Sequence, residues 1–109
     1  MAKRKRRARR ASYEVEFAVS VQGHLRTLTA RERATVIGAI ERQLRHEPLV
    51  ETRHRKPLRP NPIAPWQLSV EHLRAFYEVA GGRARLVRVL AIGRKHGNAL
   101  TIGGKEIQL

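Results

Sequence analysis

Cysteine does not occur in these 109 residues, and neither does aspartate. The first absence excludes disulfide frameworks, thiolate metal sites and cysteine nucleophiles, and it fits a reducing compartment such as the cytoplasm. The second leaves nine glutamates as the whole acidic complement, so no Ser-His-Asp set can be assembled and carboxylate-driven chemistry is poorly supplied. Long apolar runs are missing as well. Nothing approaches the ~18 consecutive apolar residues of a membrane span, and Met1–Arg10 has no apolar stretch behind its charges, so neither a span nor a secretory signal is expected. His24, His46, His54, His72 and His96 show no HExxH-type spacing and no flanking carboxylate cluster, which gives no reason to expect a metal site. Gly81-Gly82 and Gly103-Gly104 are isolated pairs and read as turns, not as a phosphate-cradling loop. No cofactor is expected.

Positive charge is what the chain has in excess: 23 lysines and arginines against 9 glutamates give a net charge of +14. Seven of these cations (Lys3, Arg4, Lys5, Arg6, Arg7, Arg9 and Arg10) crowd the first ten positions. Residues 1–12 therefore read as a basic arm that repels itself and buries nothing, followed by one domain over residues 13–109. The domain keeps a net positive charge of its own. Such a field collects near phosphate backbones and releases their counterions, which points to a nucleic-acid partner whose affinity falls with salt.

Tyr13–Val19 alternates apolar and polar residues at period two and predicts a first strand. Val21, Leu25 and Leu28 have helical spacing and predict a short helix over Ser20–Leu28. Thr29-Ala30-Arg31-Glu32 is a capping box, opening a second helix that carries Val36, Ile37, Ile40 and Leu44 on one face and runs to about His46. Gly38 inside it is expected to mark close packing against a neighbour. Glu47–Pro65 holds five prolines among Arg53, His54, Arg55, Lys56 and Arg59, and reads as a long, stiff, basic loop of the kind that carries function. Strands are predicted at Trp66–Glu71, Leu73–Val79 and Arg85–Ile92, with turns at Gly81-Gly82-Arg83 and Gly93–Asn98 and a short closing strand at Ala99–Ile102. The resulting class is α+β, in the order β-α-α-β-β-β with a possible last β, a helical hairpin packed on an antiparallel sheet.

Arg74 stands in the middle of its strand, sharing a face with Phe76 and Glu78. Facing an open groove it is an electrostatic clamp; facing packed core it needs a partner, with Glu78 the nearest candidate. Cations, imidazoles and an antiparallel sheet suit RNA phosphodiester cleavage, in which the 2′-hydroxyl attacks its own phosphate and needs only a base, an acid and positive charge on the transition state.

Leu73-Arg74-Ala75-Phe76-Tyr77-Glu78-Val79, then Val87–Asn98 and Ile102-Gly103-Gly104-Lys105-Glu106, with Lys56-Pro57-Leu58 and Trp66-Gln67-Leu68 upstream, resemble in order and spacing the RelE/ParE toxin superfamily of bacterial type II toxin–antitoxin systems. The resemblance spans roughly Tyr13 to Glu106. It implies the helical hairpin on a sheet and, in the RelE branch, a ribosome-dependent, metal-free endoribonuclease that cuts mRNA, inhibits translation and is neutralised by a cognate antitoxin. It further implies Arg74 and Lys95 as phosphate clamps, His96 as proton-transfer group in place of the C-terminal tyrosine or histidine that this chain lacks, and Arg55, Lys56, Arg59 and Arg94 as RNA-positioning residues. Two other readings stay open at this point: a ParE-like toxin acting on DNA gyrase, which shares the fold, and a plain basic nucleic-acid-binding module.

Overall fold

In a computed structural model that describes residues 12–81 and 85–109, the chain runs β1 (Glu14–Phe17), α1 (Ser20–Arg26), α2 (Ala30–Gln43), β2 (Arg55–Pro57), β3 (Trp66–Val70), β4 (Leu73–Ala80), β5 (Leu86–His96), β6 (Ala99–Ile102) and β7 (Lys105–Ile107). The predicted basic arm, apart from Ser12, and most of the predicted Gly81-Gly82-Arg83 turn lie outside the described residues. The sheet order is β2-β3-β4-β5-β6-β7, antiparallel throughout, while β1 pairs with β5 in parallel. Two helices on one sheet make this the α+β fold that the sequence pattern indicated.

The capping box of α2 forms as read: the Thr29 hydroxyl accepts the Glu32 amide at 3.1 Å, and Glu32 Oε1 accepts the Thr29 amide at 2.8 Å. The apolar face of the helix follows. Val36, Ile40 and Leu44 are buried against Leu68, Leu73, Ala75, Tyr77, Val87 and Val89 of the sheet, with α2 over β3 and β4 and α1 over β5. Gly38 departs from expectation, since a side chain there would meet only the guanidinium of Arg42 in its own helix, at 3.2 Å, and no neighbouring element.

Three readings are corrected. The proline-rich stretch is not all loop: Arg55–Pro57 adds an edge strand to β3, too short to show a period in sequence, and Pro57 is tolerated there because an edge strand needs no further donor. Gly93–His96 is not a turn but the far half of the 11-residue β5, and only Gly97-Asn98 turns the chain into β6. Gly93 is required by strand pairing, because a Cβ at that position would lie 2.2 Å from the Thr101 carbonyl oxygen on β6. A seventh strand, Lys105–Ile107, follows the Gly103-Gly104 turn, and both glycines adopt positive φ there.

Residues 58–65 fold back over the face of the sheet opposite the helices. There Ala64, with Leu58 and Ile63, packs on Phe76, Ala91, Leu100 and Ile102 in a second, smaller core. Asn61 holds this loop in shape, its Oδ1 accepting the Ile63 and Ala64 amides and its Nδ2 donating to the Arg59 and Ala64 carbonyls.

β5 changes partner midway, from β1 at Leu86–Val89 to β6 at Gly93–His96, and the residues between would leave backbone groups unpaired. Helix α1 fills the gap with two side chains one turn apart. Ser20 Oγ donates to the Leu90 carbonyl at 3.3 Å, and His24 Nδ1 accepts the Ile92 amide at 3.3 Å. Accepting at Nδ1 requires neutral imidazole, and burial accordingly lowers the His24 pKa from 6.5. A lowered folded-state pKa means that the unfolded chain takes the proton first, so His24 weakens the fold as pH falls below about 6.5 until the folded form titrates too. His24→Ala should cost about 1 kcal/mol at pH 7.5 and flatten the loss of stability between pH 7 and 5, as measured by urea unfolding.

Candidate nucleic-acid interface

Strand alternation and register decide which cations meet. Leu73 and Ala75 of β4 face the helices, as do their partners Arg94 and Ile92 of β5, so Arg74 and Phe76, and opposite them Gly93 and Ala91, face the other way. Lys95, two residues beyond Gly93, falls on the face of Arg74 and stands diagonally from it on the neighbouring strand, a spacing of roughly 7–8 Å between such positions. Lys56 pairs with Gln67, which pairs with Phe76, and so joins the same face from β2. Arg59 lies in the loop covering this face.

Two grooves border these cations. One, of 350 Å³, is bounded by Gln67, Lys95, Asn98, Leu100 and the C-terminal residues. The second, of 440 Å³, lies between Lys56, Arg59 and Leu109.

Arg74 is half-buried, and its Nη1 donates to the carbonyls of Glu71 at 2.9 Å and Leu73 at 2.8 Å. Its Nε is buried and makes no hydrogen bond among the described residues. A buried donor left unmet costs about 1–3 kcal/mol, so Arg74 sits here at a cost to the fold, while its Nη2 makes no hydrogen bond among the described residues and is not enclosed. Burial also lowers the Arg74 pKa, since charge is less well solvated there. Glu78, the core partner considered from sequence, binds Arg88 instead at 3.3 Å, and Arg88 also reaches Glu16.

Three of the residues singled out in sequence are engaged elsewhere. Arg55 is buried on the helix side, where Nε donates to the Val50 carbonyl at 3.1 Å and Nη1 to the Gln43 carbonyl at 3.3 Å, satisfying the C-terminal end of α2. It is a structural residue. Arg94 also points to the helices and forms a fork with Glu32, Nη2 to Oε1 at 2.7 Å and Nε to Oε2 at 3.1 Å. His96 shares that side, its ring centroid 5.8 Å from that of His72, and so lies across the sheet from Arg74 and Lys95. Reading Gly93–Asn98 as a turn hid this, because a turn has no faces whereas a strand alternates them.

Two residues given no site role from the sequence belong to the picture. Lys105 pairs with Ile102, which pairs with Gly93, and extends the Arg74 row to the outer strand β7. His54 is exposed at the start of β2, and its carbonyl accepts the amide of Ser69, the β3 residue opposite Arg74, at 2.7 Å. A strict period-two reading of Lys105–Ile107 is the only signal that could have placed Lys105; nothing local places His54.

The structure is similar to a chain in the crystal structure of the toxin–antitoxin complex RelBE2 from Mycobacterium tuberculosis, with a TM-score of 0.67 and 25% identity over 78% of this chain and 93% of that one. No family model matches the sequence, and no curated protein matches it either. The fold is RelE-like, as the resemblance in sequence implied. None of the described helices is long and apolar enough to cross a membrane.

Proposed function

We propose that this RelE-like chain is the toxin of a type II toxin–antitoxin pair and that the face opposite its helices cleaves mRNA on the ribosome. The observation that carries this reading is the Arg74 guanidinium, held by two carbonyls on one nitrogen, unpartnered at buried Nε, and set among Lys56, Arg59, Lys95 and Lys105 on one face. In the reaction the RNA 2′-oxygen attacks the adjacent phosphorus and the bond to the 5′-oxygen breaks, giving a 2′,3′-cyclic phosphate and a free 5′-hydroxyl. One proton leaves the 2′-hydroxyl and one reaches the departing oxygen. Arg74 and Lys95 would neutralise the charge that grows on the phosphoryl oxygens. His96 cannot take the proton from across the sheet, whereas Lys56 and the exposed His54 stand beside the row and are able to exchange one.

An antitoxin is the expected protein partner, and an acidic segment laid over this face would cover the same cations that hold RNA. The RelBE2 structure, itself a toxin–antitoxin complex, supports that expectation.

The test is cleavage of end-labelled mRNA by purified protein in the presence and absence of ribosomes, beside a gyrase supercoiling assay. Ribosome-dependent cuts with unchanged supercoiling are expected. Intact mRNA together with inhibited gyrase would move the chain to the gyrase-directed class of toxin, and neither effect would leave only a binding module.

A further inference from the structure

His72 belongs to the turn between β3 and β4 and is the point at which the helical layer meets the two cations on the far face. Its Nε2 lies 2.6 Å from Oε2 of Glu32, in the first turn of α2. The same carboxylate carries the Arg94 fork and caps the Thr29 amide, so it is fixed from three sides. The main chain around His72 carries the other half of the link. Its own carbonyl accepts the Lys95 amide at 2.7 Å, and the carbonyls on either side of it, Glu71 and Leu73, accept Arg74 Nη1. Glu71 is held at φ 56°, a left-handed conformation that a residue with a side chain adopts at a cost of about 1–3 kcal/mol and keeps only when its surroundings impose it.

We infer that His72 is a positioning residue for the RNA site: by tying the β3–β4 turn to Glu32 it sets the carbonyls that aim the Arg74 guanidinium and brace the strand carrying Lys95. This rests on Arg74 holding RNA, as proposed above. His72 itself touches no substrate. It lies on the helix side, so its effect reaches the open face only through the turn. A guanidinium gripped at Nη1 cannot rotate freely, and Nη2, which makes no hydrogen bond among the described residues and is not enclosed, then meets phosphate without a search over rotamers.

The experiment uses the full chain in four forms: wild type, His72→Ala, His72→Gln and Arg74→Ala. Each is titrated with a fluorescein-labelled, 2′-O-methylated oligoribonucleotide, which cannot be cut. Arg Nε–Hε signals are recorded by ¹⁵N NMR, that of Arg74 being assigned from its loss in Arg74→Ala. His72→Ala should bind about tenfold more weakly, the effect of misplacing one charge-assisted contact, and should shift the Arg74 Nε–Hε signal. His72→Gln, whose amide can donate to Glu32 in place of the imidazole, should recover both. A residue important only for stability would change the melting temperature without a selective shift of that signal. Should His72→Ala fold poorly, His72→Phe keeps an aromatic ring of similar volume, makes no hydrogen bond to Glu32 and should give the same shift. Wild-type binding and an unmoved Arg74 signal in His72→Ala, with binding lost in Arg74→Ala, would overturn the inference and leave the RNA site standing. Wild-type binding by Arg74→Ala would overturn both.

Discussion

Arg74→Ala is expected to slow mRNA cleavage by about 10²- to 10³-fold, the effect of deleting one preorganised donor to a developing oxyanion, while leaving the fold about as stable as wild type. The two halves of that expectation come from one geometry. Arg74 gives the protein two hydrogen bonds through Nη1, but it also brings a charge and an unmet Nε into a half-buried site. Those contributions oppose each other, so removing the side chain should change stability by no more than about 1 kcal/mol. Loss of function without loss of fold is the signature of a residue kept for its ligand. Arg74→Lys retains the charge but not the planar fork, and should remain at least tenfold impaired. Cleavage rates set beside urea unfolding curves measure both halves. A wild-type rate in Arg74→Ala would remove this face from the mechanism, and a loss of several kcal/mol would mark Arg74 as part of the framework.

Glu32→Ala should be the most destabilising change away from the apolar core, at about 3 kcal/mol, and it should act at three places at once. The carboxylate caps α2, holds the Arg94 fork and receives His72, with its side chain only 15% exposed. Alanine would leave Arg94, itself 28% exposed, without its partner and the Thr29 amide without its acceptor. The same contacts, Arg94 first and then His72 and the Thr29 amide, hold the Glu32 carboxyl far below its ordinary value of 4.5. A carboxyl whose folded pKa is lowered contributes fully above the unfolded value and ceases to contribute as pH falls through and below it, because the unfolded chain binds the proton first. Acid unfolding of the wild type should therefore proceed in two ranges, a shallow loss below about 6.5 from His24 and a steeper one below about 4.5 from Glu32. Glu32→Ala should erase the second. Chemical unfolding between pH 3 and 8 tests this, and an unchanged acid limb in the variant would show that the cluster contributes little.

How far the chain could be read in advance depends on how local each signal is. The capping box at Thr29 and Glu32, the apolar face of α2 and the alternation of β4 are patterns within a few residues of one another, and all were legible. The extent of β5 was not, because Gly93, Gly97 and Asn98 carry the composition of a turn. What makes Gly93 a strand residue is the approach of β6, a neighbour absent from any window of sequence around it. Lys56 stands on the face of Arg74, whereas its neighbour Arg55 turns to the helices. Adjacent residues of a strand point to opposite faces, and only pairing with Leu68 says which of the two goes inward.

By itself, then, the sequence determined the class of fold and the sign of the surface: element periods and caps that follow from near neighbours, and an excess of cations with no aspartate or cysteine. Tertiary structure decided which cations share a face. Arg74 and Lys95 came together while Arg55, Arg94 and His96 went to the helix side, because a one-residue difference in strand phase exchanges the faces of a sheet. That phase is set by pairing between segments far apart in the chain.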